Sequence, residues 1–501
     1  MKESKKSRLD TPSSRRGFLK SLGAASLIVP FSGATVSADT STSAGTINTF
    51  KVPPLDFGQR SGDTLSFNLQ LGVAKTQFFK GVNTSTLGIN QSYLGPVLRA
   101  KRGDNVRINV TNQMGVPSTL HWHGMVLPAN MDGGPHQEIK HGDRWTSEFK
   151  IRQEASTLWY HSHQMHQTGA QVYHGLAGLF IIDDDSSQQL GLPQEYGVDD
   201  IPCTIQDRRF NRDGSLSYIG SMHDRMMGME GDTILVNGVV TPTLQAKRSL
   251  LRLRLHNGSN ARTYQLAFSD QRNFQVIASD GGFLTAPVTI NSLRLAVGER
   301  AEILVDVSDQ KTIQLLSQQA NGGGGMMGMM SRMSGSSEAF TIMTIDAKQA
   351  QPSTHAIPAT LRAMAAIPNP KASIATRKFD LQMGMGMMGG GFRINGKTME
   401  MSRIDFQVKR NSTEIWEVRN DSPMAHPFHV HNVQFHILDR NGKKPTEIES
   451  GLKDTVLVQR DEVVRIVMTF PEYSDAKVPY MYHCHILEHE DQGMMGQFVV
   501  V

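Results

Sequence analysis

Four His-x-His tripeptides, His121-Trp122-His123, His161-Ser162-His163, His429-Val430-His431 and His483-Cys484-His485, constrain the fold more than any other feature of the chain. Eighteen histidines scattered over 501 residues would give roughly one such pair or fewer by chance. Residues two apart on a strand point to the same face, so each tripeptide can offer two imidazoles to one cavity. The chain is therefore expected to be built of strands that carry paired metal ligands. In the last tripeptide His483 and His485 face one side and Cys484 the other, so one short segment can touch two metal sites.

The residues that follow sharpen this reading. From His483 to Met494 the chain places one thiol, three imidazoles and one thioether within twelve residues. A cysteine sulfur, two imidazoles and a weak axial methionine make a blue-copper electron-transfer site, and Cys484, His489 and Met494 supply three of those four at five-residue steps. The other imidazole has to come from elsewhere. Electrons arriving at a Cys484 copper would have a short backbone route to copper held by His483 and His485, an arrangement suited to one-electron steps.

With four such motifs in this order, and with Cys484 in the last, the mature chain resembles the multicopper oxidases, the bacterial copper-efflux cuprous oxidases and bacterial laccases among them. The resemblance implies a type 1 copper on His426, Cys484, His489 and Met494, and a type 2 copper on His121 and His429. It also implies a type 3 pair on His123, His161, His163, His431, His483 and His485, four copper ions in all. No ligand of that pattern is absent, unlike the degenerate, copper-free relatives used as division-associated scaffolds.

Composition sets further bounds. The leader, residues 1–38, carries Lys2, Lys5, Lys6, Arg8, Arg15, Arg16 and Lys20 against Glu3 and Asp10, a net of +5. Subtracted from the +4 of the whole chain, this leaves −1 for the rest, so the basic balance belongs to the leader and nothing suggests nucleic-acid binding. Ser14-Arg15-Arg16-Gly17-Phe18-Leu19-Lys20, a mild apolar run to Phe31 and the small-residue site Val36-Ser37-Ala38 look like a twin-arginine export signal cleaved near Ala38. The apolar run is too short and too diluted by Gly and Ser for a membrane anchor. Export by that machinery places the mature protein in a bacterial periplasm. Only Cys203 and Cys484 exist, so with Cys484 on copper Cys203 has no disulfide partner and reads as a buried inert thiol.

An internal repeat sets the domain count. Segments 142–149, 298–305 and 460–467 are each a turn feeding a strand, and upstream of each lies an alternating strand ending in Asn, at 106–112, 250–257 and 414–420. Many short strands with Gly, Pro and Asn turns indicate an all-β chain of Greek-key β-sandwiches. The resemblance narrows this to three cupredoxin-like domains, expected at 48–185, 198–347 and 377–501, with a linker at 348–376. The histidine pairs occur only in the first and third, so the type 2/3 cluster is expected at their interface, and the second domain is expected to be a spacer.

Methionine is abundant, 27 residues, much of it in Gly-Met stretches at 322–333 and 381–391 and in a cluster of Met222, Met226, Met227 and Met229. Met is common core filler. Interleaved glycine favours instead flexible loops whose soft thioethers bind Cu(I). Efflux-type relatives carry a longer Met/His-rich insertion where 381–391 stands here, and a shorter one leaves the type 1 edge more open to phenols. Met383, Met385, Asp421 and Met424 are the candidates for a substrate-copper site, with Asp421 one residue farther from His426 than the family pattern has it. Asp132 and Glu490 are candidate proton carriers, since reducing dioxygen to water consumes four protons, and each has the alternative role of orienting a histidine. His136, His141, His166, His174, His223, His256, His355 and His436 are expected to be structural or solvated.

These features add up to an expected periplasmic monomer that couples one-electron oxidation of a substrate, Cu(I) first among candidates, to reduction of O2. A laccase acting on phenols or other small aromatic reductants is the second reading, and a copper-sequestering protein without turnover the third.

Overall fold

The computed structural model describes residues 48–318, 339–362, 367–384, 391–470 and 472–501. The leader, the Gly-Met residues of 319–338 and Met385 lie outside the described residues.

Six sheets pair into three sandwiches. Each is built round the same three-strand unit, a parallel pair whose second strand also runs antiparallel to a third. In the first sandwich Thr64–Phe79 lies parallel to Asn105–Gln113, which pairs with Arg144–Lys150. In the second, Asp200–Arg208 lies parallel to Leu250–Asn257, which pairs with Arg300–Asp306. In the third, Ala375–Met383 lies parallel to Thr413–Asn420, which pairs with Val463–Thr469. The strands that the sequence repeat picked out are thus direct neighbours, with Greek-key crossovers between them.

The asparagine ending each central strand has a shared job. Asn112, Asn257 and Asn420 are all fully buried. Each donates two side-chain N–H bonds to main-chain carbonyls, Val116 and Ile139, Arg262 and Leu295, or Met424 and Val458, at 2.7–3.0 Å. Each Oδ1 accepts the backbone N–H two residues on, from Met114, Ser259 or Ser422. A short amide side chain that bonds its own backbone two residues ahead is the Asx device that turns a chain out of a strand.

The middle sandwich departs from the alternating pattern. Every residue of Leu250–Asn257 is buried, including Arg252, Arg254 and His256 on the face that alternation assigns to solvent. That face is covered by the first sandwich: Arg254 Nη1 donates to Thr157 Oγ1 at 2.9 Å and to Glu302 Oε1 at 2.8 Å, with Asp200 closing the ion cluster. Two boundaries also differ from expectation. Residues 48–50 run along the second sandwich, where Thr49 bridges Thr243 and Phe50 joins the core around Leu251. Ala350 and Leu361, expected in a linker, are buried in that same core. Cys203 lies in it too, a free buried thiol whose pKa burial pushes up.

Candidate metal centres

Cys484 ends the strand Asp475–Cys484, which pairs with His426–Val430 in a register that sets Cys484 opposite Phe428 and His483 opposite His429. After Cys484 the chain makes the short helix Leu487–Asp491, which carries His489, then turns at Gly493 (φ 92°) so that the Met494 carbonyl accepts the Cys484 N–H at 3.0 Å. His426 Nδ1 stands 3.3 Å from the Cys484 sulfur and 3.3 Å from His489 Nδ1, and the sulfur is 3.7 Å from His489 Nδ1. These three side chains and Met494 are completely buried. Outer partners fix both rings. His489 Nε2–H donates to the Met226 carbonyl at 3.0 Å, and Phe392 stacks on that ring at 3.9 Å. The Ser422 hydroxyl donates to the Met424 carbonyl and so accepts from His426 Nε2–H at 2.6 Å. Both Nδ1 lone pairs therefore point at the thiol. Burial depresses His426 to about 3 and raises the thiol, so the set is neutral and a bound cation would draw off the thiol proton.

Four strands meet at the second cluster. His121–His123 pairs with Ser156–His161, and the two histidine pairs of the first sandwich interleave with the two of the third. His121 stacks on His431 at 3.9 Å and His123 on His429 at 3.7 Å. The Nε2 atoms of His163 and His431 each lie 3.2 Å from His483 Nε2. Three imidazole nitrogens at such spacing could hold one metal ion between them.

Six of the eight rings have the nitrogen facing away from the centre hydrogen-bonded to an oxygen, which fixes the tautomer as metal-ligating histidines require. Nδ1 of His121, His161, His429 and His483 faces a main-chain carbonyl at 2.7–3.1 Å. Nδ1 of His431 donates to Asp132 Oδ2 at 2.7 Å, and Nδ1 of His163 and His483 each lie 3.3 Å from Glu490. His123 is reversed: its Nε2–H donates to Asp454 Oδ1 at 2.9 Å. The inward nitrogens His121 Nε2, His123 Nδ1, His161 Nε2 and His429 Nε2 are buried without any hydrogen-bond partner, as is the whole His485 ring. Orphaned buried nitrogens converging from two sandwiches fit metal ions and little else. Burial, reinforced by neighbouring imidazoles, depresses the pKa of His161 and His429, so both remain neutral ligands.

Asp132 and Glu490 are both buried against this cluster. Burial raises the Asp132 carboxyl, but the His431 and His121 rings outweigh it and hold the carboxyl below the ordinary range. Glu490 has no such compensation, and burial with Asp491 beside it pushes its carboxyl well up.

Of the four substrate-copper candidates, Met383 and Met424 pack half-buried against the core that holds Cys484. Asp421 does not join them: half of its side chain is exposed and it pairs with Arg419 at 3.4 Å. The extra residue in Asp421-Ser422-Pro423-Met424-Ala425-His426 puts Ser422 against the His426 ring instead. None of the eight other histidines enters a cluster of metal-type donors among the described residues.

The structure also brings in residues that no metal-ligand motif marks. Asp454 holds His123 and, through its carbonyl, His429. From the middle sandwich, expected to be a spacer, Gly298 packs on the His485 ring, Arg300 grips Asp454, and the helix Met222–Met227 covers His489. The only hint of Asp454 is its place one residue before the strand Thr455–Val458, which pairs with His426–Val430.

Comparison with known proteins agrees with this geometry. The multicopper oxidase family matches the chain three times, over residues 71–187, 214–322 and 372–501. The chain is 38% identical over 441 residues to the multicopper oxidase mco of Staphylococcus aureus, covering 87% of this chain and 88% of that one. It is 36% identical over 465 residues to the cell division protein FtsP of Escherichia coli K12, covering 91% and 93%. The structure of a laccase-like multicopper oxidase CueO from Ochrobactrum sp., described as having oxidase activity towards lignin model compounds, superposes with a TM-score of 0.82 at 37% identity, covering 90% of this chain and all of that one. With its three sandwiches and two buried donor clusters, the chain belongs to the multicopper oxidase family.

Proposed function

We propose that the protein is a copper-tolerance oxidase of the bacterial periplasm, taking electrons singly from Cu(I) and passing them to O2. His426, Cys484, His489 and Met494 hold the type 1 copper, His121 and His429 the type 2, and His123, His161, His163, His431, His483 and His485 the type 3 pair. Copper bound at these sites supplies one-electron uptake at the first and reduction of O2 to water at the second. The observation that carries the reading is the continuity of the chain: Cys484 belongs to one cluster, and its immediate neighbours are His483 of the other and His485, whose ring lies beside His123, His161 and His429. Proton supply falls to the carboxylates. Asp132 holds the His431 N–H with one oxygen and leaves Oδ1 without a partner, and Glu490 sits between His163 and His483.

Cu(I) is favoured as reductant by the half-buried thioethers of Met226, Met383 and Met424 against the type 1 core, soft donors matched to a soft ion. Ser422 in place of a carboxylate at His426 makes that a methionine-dominated entry. The likeness to a laccase-like oxidase described as acting on lignin model compounds supports the second reading, a laccase for phenols. The third reading, a copper-sequestering protein without turnover, is ranked last by the complete donor set, and the likeness to a cell division protein supports only a role other than oxidation. No helix among the described residues is long and apolar enough to cross a membrane, and export rests on the twin-arginine leader.

Oxygen uptake by the copper-loaded protein, supplied with a Cu(I) chelate or an electron-rich phenol, with and without added Cu(II), tests the ranking. Fast uptake with Cu(I), and phenol turnover only with added copper, is the expected result. Equal or faster phenol turnover without added copper makes it a laccase, and no uptake with either removes the oxidase reading.

A further inference from the structure

The middle sandwich has no paired histidines, yet its Arg300 is fully buried where all three sandwiches meet. Nε–H donates to the Thr157 carbonyl of the first sandwich at 3.0 Å. Nη1 donates to the Gly298 carbonyl at 2.9 Å and to Asp454 Oδ1 at 2.8 Å. Nη2 donates to the Asp280 carbonyl at 3.1 Å and to Asp454 Oδ2 at 2.5 Å. All five N–H groups of the guanidinium are therefore spent, two of them as a fork on one carboxylate of the third sandwich.

Asp454 bonds two rings of the donor cluster, one through its carboxylate and one through its main chain. Asp454 Oδ1 accepts His123 Nε2–H at 2.9 Å, and the Asp454 carbonyl accepts His429 Nδ1–H at 2.7 Å. His123 is the ring that turns Nδ1 rather than Nε2 inward, and the Asp454 bond accounts for the reversal. A carboxylate free to rotate about its own side chain could not set a ring this way. Arg300 removes that freedom, since the fork fixes the carboxylate plane, and the Thr455 hydroxyl, which donates to the same Oδ1 at 3.0 Å and lies 3.3 Å from His123 Nε2 and His429 Nδ1, shares the oxygen so fixed. The ring it sets lies face to face with His429 at an angle of 13°, so an error in one is passed to the other.

We propose that Arg300 is a positioning residue for the type 2/3 copper cluster: its grip on Asp454 orients His123 and His429, and so makes docking of the middle sandwich a condition for assembling the site. The inference rests on the copper assignments above and is indifferent to which reductant the enzyme uses.

The test compares Arg300→Lys with Arg254→Lys. Arg254 is a matched control: it is buried in the same sandwich, forks onto Asp200 and bonds Thr157 Oγ1 of the first sandwich, but touches none of the candidate copper ligands. The readouts are copper per chain, retention of cluster copper against a chelator, the type 2 EPR signal, the near-ultraviolet band of the type 3 pair, the blue type 1 absorption and the melting of both apo-proteins. R300K is expected to keep the blue absorption, to change the type 2 signal and the type 3 band, and to lose cluster copper about 10–100-fold more readily. R254K is expected to melt lower with cluster spectra like the parent's. Parent-like cluster spectra and retention in R300K overturn the proposal, as does an equal loss in R254K, which would make both arginines merely structural. Should R300K not fold, Asp454→Asn puts the same question from the other end: it removes the charge that the fork grips but keeps an oxygen for His123, and parent-like spectra there overturn the proposal too. A copper-loaded parent without type 2 and type 3 signals is a separate failure, that of the copper reading itself.

Discussion

Gly298→Ala probes the same seam from the side of sterics. Gly298 has φ 80°, in the left-handed region, and a Cβ there would sit 3.1 Å from Cδ2, Cε1 and Nε2 of His485 at once. Two costs can be separated. The backbone cost is about 1–2 kcal/mol for an L-residue held left-handed, less about 0.4–1 kcal/mol that alanine returns by restricting the unfolded chain, a net loss of about 1 kcal/mol. For a domain of this size that lowers the melting temperature of the apo-protein by about 2–4 °C. The steric cost falls on the ring. Carbon contacts are comfortable at about 3.5–4.0 Å, so the imidazole must retreat by roughly 0.4 Å, twice the tolerance of about 0.2 Å for a metal ligand distance. No hydrogen bond resists the retreat, because neither His485 nitrogen has a hydrogen-bond partner, and only ring packing, such as that against His123 and Trp159, opposes it. The expected holo-protein is blue but has a weakened type 3 band and slow oxygen uptake. Calorimetry of the apo-protein and absorption of the holo-protein measure the two costs independently. A parent-like type 3 band and uptake rate, in a variant that shows the calorimetric loss, would refute the claim that Gly298 seats His485.

Cys484→Ser should abolish the blue absorption while leaving the apo-protein folded, as followed by absorption and circular dichroism; surviving colour would sink the type 1 assignment. Asn257→Ala removes three hydrogen bonds and leaves Ser259 N–H and the Arg262 and Leu295 carbonyls behind. At about 1 kcal/mol each this should destabilise the middle sandwich by about 3 kcal/mol in calorimetry, and a loss near zero would mean that water replaces the side chain. Asp132→Asn should slow reoxidation of the reduced enzyme by O2 about 10²–10⁴-fold without bleaching the resting blue form. Stopped-flow absorption measures this, and an unchanged rate would leave Asp132 only an orienting role toward His431. Stripping copper with a chelator should lower the melting temperature, since free copper at about 100 times its dissociation constant stabilises the fold by about 2.7 kcal/mol per site; identical melting of apo and holo forms would argue against ligands drawn from two sandwiches.

The candidate ligand pairs were legible in the sequence because each starts on a strand: His121 and His123 lie within one, and the other three pairs put their first histidine on a strand and their second just past its end. His121 and His123, or His483 and His485, need no knowledge of distant residues to be read. The asparagine-terminated strands were legible for a related reason: two of the three side-chain bonds of Asn112, Asn257 and Asn420 reach backbone two to five residues ahead, so most of their signal is local. Asp421 failed on the same local scale, since one inserted residue before His426 exchanged it for Ser422 and no spacing rule reports which of the two neighbours turns inward.

What holds the ligands is a different matter. Asp454 reaches His123 across 331 positions of the chain, and Arg300 reaches Asp454 across 154. Neither separation has a period, and an Arg in an alternating strand reads as solvent-facing. The middle sandwich reads as a spacer for that reason: it holds the rings through one arginine, one glycine and one main-chain carbonyl at Met226, and of these only Arg300 acts on the rings through its side chain. A cluster whose eight imidazoles come from the outer sandwiches is oriented by groups from the middle one, so substitutions there can change the copper spectra without altering any ligand. The paired melting and spectroscopic measurements on R300K, R254K and Gly298→Ala therefore bear on one point, whether a domain without ligands sets the geometry of a metal site.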